Sequence, residues 1–584
     1  MNELQNLYKE ELRLFKKSAK TFSDQYPAIT ENLLRDTLDP DADMLLKGLA
    51  YLTAQLRHES AAQFPRALQS ISQIIAPHLM QPVPAMTLLA FTAKPNLLNP
   101  YIVQSGKSFD TVAIGQNDHG HDITCRFNTV WPVEILPILL TDISTHKNES
   151  ADGQSKLSLE FMFTSERNLL ENYHFDKLRL YFNLATTDAS VWLTVLHSLV
   201  QTLAITDANG RIELANDAIS FPALETRNKT TTKANKGLMH QLLMDYFLCP
   251  EKFLFVDIDV SRWQKRSGSK FVLAADIALP AFPLPELRSA DVQLFVAPAI
   301  NQFEQFAEPL PFNAFSSELQ LSAKNRQLSG DMQLDICYVD SVEGITLGEK
   351  KGVFLENALQ PNKIDQASLS YTFFRKPSVA ESGSLPYLGI YRNSKNENIE
   401  VLRIKVQCSQ GAWGSEVPVN QVIKATSNSP ELVSFTNLTQ ASPYQPACLV
   451  SENAWQIVSD QNITLSTLQS AEQLKQFLQH HIPESLKTTA KQKTNLHRIN
   501  AIERVHTKAM EKIVKGRLLR GLKFDIFVNI DHFNGVGEVF LFSSIVNQIL
   551  KMKTPINSVS QMNIINARSA EVTSWPTVLT TDLE

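Results

Sequence analysis

The chain of 584 residues is 43% hydrophobic and 20% charged, the balance of a folded globular protein rather than a disordered one. Its formal net charge of −5 leaves no whole-chain electrostatic footprint for nucleic acid, so no nucleic-acid partner is expected. Five widely spaced cysteines without a C-x-x-C pair, no apolar leader and no run near the roughly 18 apolar residues that span a bilayer point to a reduced, cytoplasmic protein without membrane insertion.

In chain order, Leu4, Leu7, Tyr8, Leu12, Phe15, Ala19 and Phe22 recur at helical spacing until Tyr26-Pro27 stops the pattern. Asp39-Pro40-Asp41 opens a second helix with Met44, Leu45, Leu49, Leu52 and Leu56 on one face, and a third covers 65–76. Such helices form a small bundle, closed within the chain or completed by another one. From Thr87 the period becomes that of strands, through 88–91, 101–103 and 125–136. The polar stretch 146–156 reads as a surface loop, 157–163 and 178–184 as strands, 189–203 as a helix, and 227–236 as a polar loop.

The central stretch 241–258 changes period within one apolar run. Leu238, Leu242, Leu243, Tyr246 and Phe247 keep helical spacing, whereas Phe253, Phe255 and Asp257 alternate with Leu254, Val256 and Ile258. Pro250 disfavours the α region at Cys249, so a helix ends there and an extended segment follows. Both flanks are apolar, which predicts a helix docked on a sheet.

Beyond it, 292–298 reads as a strand, about 325–410 as β-rich, 474–480 as a helix and 487–493 as a solvated basic turn. Leu522, Phe524, Ile526, Val528 and Ile530 alternate as a strand; Asn534-Gly535 turns the chain into a helix carrying Val539, Phe542, Ile545, Val546 and Leu550. The fold class is therefore α+β and multidomain: an N-terminal helical bundle (1–85), a β-rich domain (86–235), a central helix-strand core (236–325), a second β-rich domain (326–430) and a C-terminal α+β domain (431–584).

Several of these segments carry a resemblance. Leu242-Leu243, Asp245-Tyr246-Phe247 and Pro250-Glu251-Lys252-Phe253 resemble the signature of the TssF (VasA/ImpG) family of type VI secretion baseplate subunits. Tyr8 to Leu12, Asp39-Pro40, Phe64-Pro65, Cys125-Arg126-Phe127, Glu304 to Pro309, Tyr338 to Gly344, Arg520-Gly521, Gly535 to Phe542 and Pro555-Ile556-Asn557 follow in the family's order, although Gln81 stands where the family has arginine. The resemblance implies a non-enzymatic wedge protein with a C-terminal region like that of phage wedge proteins. It implies assembly with the TssG, TssE and TssK subunits and a second copy of itself, with indirect contact to the spike and sheath base. It also assigns the bundle a subunit-facing side, taken as Leu7, Leu14, Leu45, Leu49, Leu52 and Leu56, and a structural role to Tyr246, Phe247, Pro250, Glu251, Phe253, Glu304, Glu308 and Asp340.

Catalytic machinery is sparse. Asp118-His119-Gly120-His121-Asp122 with Cys125 has metal-ligand residue types but the spacing of no closed zinc site, and reads as an exposed turn. Glu304 and Glu308 are spaced to share a helix face, yet Pro309 and Pro311 end any helix at once, so they read as a cap or salt bridge. His480-His481 reads as a solvated helix end. No catalytic residue, metal or cofactor is assigned. The competing readings are a metal-dependent or carbohydrate-active hydrolase working through 118–125, and a transient effector adaptor.

Overall fold

The computed structural model describes residues 76–580 apart from breaks at 118–119, 150–154, 166–168, 216, 225–236, 313–316, 331, 347–351, 359–368, 379–382, 393–398, 448–455, 457, 461–462, 487–488 and 515. Before residue 76 it describes 8–9, 12–13, 44, 47–55 and 72. The chain divides into two compact units, one of Met1–Pro77 with Leu449–Val458 and one of His78–Cys448 with Ser459–Glu584. In the first unit nearly all the described residues are helical, including 47–55, where Leu49 and Leu52 are exposed and Ala50 and Ala54 are buried. Leu7, Leu14, Leu45, Leu56 and most of the third predicted helix lie outside the described residues, as do 227–236, Asp118 and His119.

The second unit is built on sheets, as the alternating stretches require. Its first strands are β1 (Met86–Ala93), β2 (Ser108–Thr111), β3 (Arg126–Thr129), β4 (Ile138–Glu149), β5 (Ser155–Ser165) and β6 (Lys177–Phe182). Of the predicted surface loop at 146–156, residues 146–149 end β4 and 155–156 begin β5, while 150–154 lie outside the described residues. The strand pairing sets Lys147 opposite Leu157, so the polarity of His146 and Lys147 marks an exposed sheet edge. Helix α1 spans Thr186–Ser198, and β7 (Val200–Asp207) takes over where a longer helix was predicted, because Val200, Thr202 and Ile205 favour strand and pair with Ile277, Asp276 and Leu273.

Helix α2 (Leu238–Leu248) ends on Cys249, held at φ −140° and ψ 68° ahead of Pro250. One tight turn, Pro250–Phe253, then delivers β8 (Phe255–Asp259). Next come β9 (Lys270–Ala278), β10 (Val292–Leu294), β11 (Val296–Ile300) and β12 (Phe303–Phe306). The single strand predicted at 292–298 is two: Phe295 takes φ 56° and swings the chain from one sheet into another. The β-rich middle holds β13 (Asp335–Ile345), β14 (Val353–Asn357), β15 (Leu369–Pro377), β16 (Ser384–Arg392), β17 (Val401–Ser409), β18 (Val422–Ala425) and β19 (Val433–Asn437). The C-terminal part contains α3 (Ala471–His480), α4 (Ala490–Asn500), β20 (Ile502–Val514), β21 (Arg517–Val528), α5 (Val536–Lys553) and β22 (Ser558–Asn566). Helix α4 replaces the predicted basic turn: the Thr489 side chain accepts from the Gln492 N–H and caps it, and its lysines lie on the solvent side.

These strands pair in the orders β18-β2-β3-β11-β1-β19, β8-β6-β10 and β7-β9-β5-β4, while β12-β17-β13-β14-β15-β16 and β20-β21-β22 continue the pattern. Pairing is antiparallel except at β14–β15 and β21–β22. The largest core joins the sheets around β6 and β9 to α1, α2, α3 and α5, with Trp192, Trp263, Phe253 and Phe255 fully buried. Each such side chain contributes about 1.5–3 kcal/mol on burial, so this junction dominates the stability of the unit.

Candidate functional site

The period change in the sequence marks the centre of that core. Leu242 to Cys249 and Phe253 to Ile258 are buried throughout, so the helix and the strand it feeds are both covered. Burying Asp245, Lys252 and Asp257 in this setting costs free energy unless each charge is paired. Lys252 Nζ donates to Asp245 Oδ2 across the Pro250 turn. Burial raises the Asp245 carboxyl, and the Lys252 ammonium draws it back down. Asp257 on β8 accepts both arms of Arg179 on β6, at 2.6 and 2.8 Å. Both cations cover one indole: Arg179 lies 5.3 Å and Lys252 5.9 Å from the Trp131 ring, whose edge meets Phe255 at 5.3 Å. The central motif is thereby tied to the 125–136 stretch.

On the outer side, Tyr246, Phe247, Pro250 and Glu251 line a cleft of about 290 Å³ together with residues of α4 and α5. Arg498 on α4 donates to Glu538 on α5 at 2.8 Å, and Glu538 also accepts from the Asn534 N–H at 3.1 Å. Burial alone would raise Glu538, but the Asn534 N–H and Arg498 hold it below the usual carboxylate range. Burial pushes the Tyr246 hydroxyl up to about 12. At neutral pH the cleft therefore holds a protonated phenol, a carboxylate and a guanidinium already paired. That arrangement recognises shape and hydrogen-bonding groups.

The other predicted residues stand apart. Glu304 lies on strand β12, not on a helix, because its neighbours Phe303 to Phe306 pair with Lys405 to Cys408 of β17. Its carboxylate meets Lys405 at 2.8 Å, and Glu308 reaches Lys324 at 3.7 Å. Asp340 sits where the β13–β17 register shifts and accepts from Gln407 at 2.7 Å. These are surface ion pairs and a bulge contact, worth little individually. His121 and Asp122 are exposed on a small hairpin while Cys125 is buried, its thiol pushed up to about 12 by burial. Among the described residues no group of three His, Cys, Asp or Glu is placed to hold a metal. His481 is fully buried rather than solvated, its Nδ1 2.9 Å from the Phe477 carbonyl oxygen; it packs on Phe477 and His240, which polarity alone does not signal.

Sequence reasoning missed Arg498 and Trp131. The weak apolar period of 490–500 hides a helix, and nothing local marks Trp131 as the target of two cations. The family glycines gain a physical reason. A Cβ on Gly521 would lie 1.6 Å from the Val559 carbonyl oxygen, and one on Gly537 would lie 2.4 Å from the Val191 nitrogen, where α5 crosses α1.

Comparison with known proteins agrees with this architecture. The family model described as "Type VI secretion system, TssF" matches residues 1–581. The type VI secretion system component TssF1 of Pseudomonas aeruginosa PAO1 is 24% identical over 268 residues, an alignment that spans 43% of this chain and 43% of that relative. A chain from the cryo-electron microscopy structure of the type VI secretion system TssK-TssF-TssG baseplate subcomplex matches with a TM-score of 0.71 at 19% identity, covering 92% of this chain and 99% of that one. A chain from the baseplate complex of the type VI secretion system matches with a TM-score of 0.57 at 17% identity, over 98% and 99%. The two likenesses establish the fold along nearly the whole chain. With its sequence matched from residue 1 to residue 581, the chain belongs to the TssF family of the type VI secretion system.

Proposed function

We propose that this chain is a structural, non-enzymatic part of the baseplate wedge of a type VI secretion system, acting in the bacterial cytoplasm near the inner membrane. It assembles with TssG, TssK and TssE subunits and a second copy of itself around the spike, and holds the contractile sheath until firing. The observation that carries this reading is the family match over residues 1–581. The chain-long likeness to a protein solved with TssK and TssG supports the choice of partners. Among the described residues no helix is long and apolar enough to cross a membrane.

Within this reading the N-terminal helices complete a bundle with another subunit. The exposure of Leu49 (49%) and Leu52 (58%) on one helix supports that role, since apolar side chains on a stable helix are normally covered. Leu7, Leu14, Leu45 and Leu56, which lie outside the described residues, are the other leucines expected to face a subunit from the 1–85 region. The remaining units, 86–235, 236–325, 326–430 and 431–584, supply the rigid body. The test is complementation of a deletion strain carrying a fluorescent sheath protein. Wild type restores sheath assembly and a Leu49→Asp, Leu52→Asp variant expressed at equal level does not; sheath assembly in the deletion strain itself would overturn the reading.

A further inference from the structure

β20 and β21 form a long hairpin whose far half stands clear of the core. β20 is the terminal strand of its sheet, paired on one side by β21. Alternate N–H and C=O groups of β20 therefore point outward, and among the described residues no backbone group bonds to that edge from His506 to Ile513. The tip is apolar and uncovered, with Ile513 74% and Leu518 53% exposed and directly opposite each other.

Charge distinguishes this hairpin from the rest of the molecule. Positions 503–523 hold seven lysines and arginines against two glutamates, in a chain whose net charge is −5. The register puts Lys508 opposite Lys523, and Lys512, four residues further along β20, on the same face. Like charges set directly across two strands destabilise the pair. Lys508 lies 3.7 Å from Asp525, whereas Lys512, Arg517 and Lys523 make no ion pair among the described residues. Such an arrangement is kept at a folding cost that an anionic partner would offset.

We propose that the outer edge and basic face of this hairpin dock an extended acidic segment of a partner protein, which adds alongside β20 as a further strand. The edge offers donors and acceptors in alternation. A phosphate backbone or a headgroup layer does not present donors and acceptors in the regular alternation of a strand edge, whereas a peptide strand does. Pairing of two β20 edges from separate copies would set lysines against lysines, so the same charges that attract an acidic strand disfavour self-association. The inference is independent of the baseplate assignment.

The test uses the full-length protein and a labelled peptide alternating glutamate and valine, followed by fluorescence anisotropy. The same peptide with a central proline, a short DNA duplex and vesicles containing phosphatidylglycerol serve as competing probes. Binding of the alternating peptide, weakened about tenfold or more by proline in the peptide or by a Lys508→Glu, Lys512→Glu, Lys523→Glu variant, supports the docking site. Hydrogen exchange should slow in β20 amides on binding, and circular dichroism checks that the variant keeps its fold. Absence of peptide binding, equal binding of the proline peptide, or binding of duplex or vesicles alone would overturn it.

Discussion

Arg498 on α4 and Glu538 on α5 meet at 2.8 Å beneath the central cleft, with the Glu538 side chain only 6% exposed. The pair joins a helix whose sequence reads as a polar turn to one whose apolar period is clear. Removing one partner leaves the other buried and uncompensated, at a cost of about 3 kcal/mol. Arg498→Ala should lower the main unfolding transition by several degrees, and Arg498→Met with Glu538→Leu should recover most of the loss. Differential scanning fluorimetry of the two variants beside the wild type checks this; equal losses in the single and double variants would argue against the pairing.

Gly521 and Gly537 are positions of close approach rather than of flexibility. Adding one carbon at Gly521 forces β21 away from β22, because the Val559 carbonyl oxygen stands 1.6 Å from the place a Cβ would occupy. Gly521→Ala and Gly537→Ala should each destabilise by about 1–3 kcal/mol or abolish soluble expression. Gly383→Ala, where a Cβ meets nothing within 4 Å, should melt like the wild type.

His481 makes a prediction about pH. Burial lowers its pKa to about 4 from an ordinary 6.5, with the Phe477 carbonyl opposing and His480 and Lys553 reinforcing the shift. The neutral imidazole is the form the fold favours, so its contribution is fully present above pH 6.5 and is lost as pH falls from 6.5 through 4. The loss is on the order of 3 kcal/mol. A His481→Gln variant should therefore show a shallower fall in melting temperature between pH 6.5 and 4.5. Parallel profiles for variant and wild type would contradict the assignment.

Where the sequence carried its own periodicity, the fold was legible. The change of period at Pro250 located both α2 and β8, and the alternation from Leu522 located β21 before the Asn534-Gly535 turn into α5. Errors arose where polarity was taken as a sign of loop or solvent. The end of β4 at His146 and Lys147 is polar because this outer strand is exposed, α4 is polar because it packs by a narrow face, and His481 is buried despite its charge chemistry. Four of the motif residues converge on one cleft, but their partner Arg498 comes from a helix some 250 positions away in the chain, and no local pattern records that contact.

The central claim is that this chain is a wedge subunit. Its most direct test is native mass spectrometry of the chain co-expressed with the TssG candidate of the same secretion system, beside the Leu49→Asp, Leu52→Asp variant. The account predicts a stable complex containing more copies of this chain than of TssG, lost in a variant that stays folded by circular dichroism. A wild-type chain that remains monomeric with TssG present would contradict it.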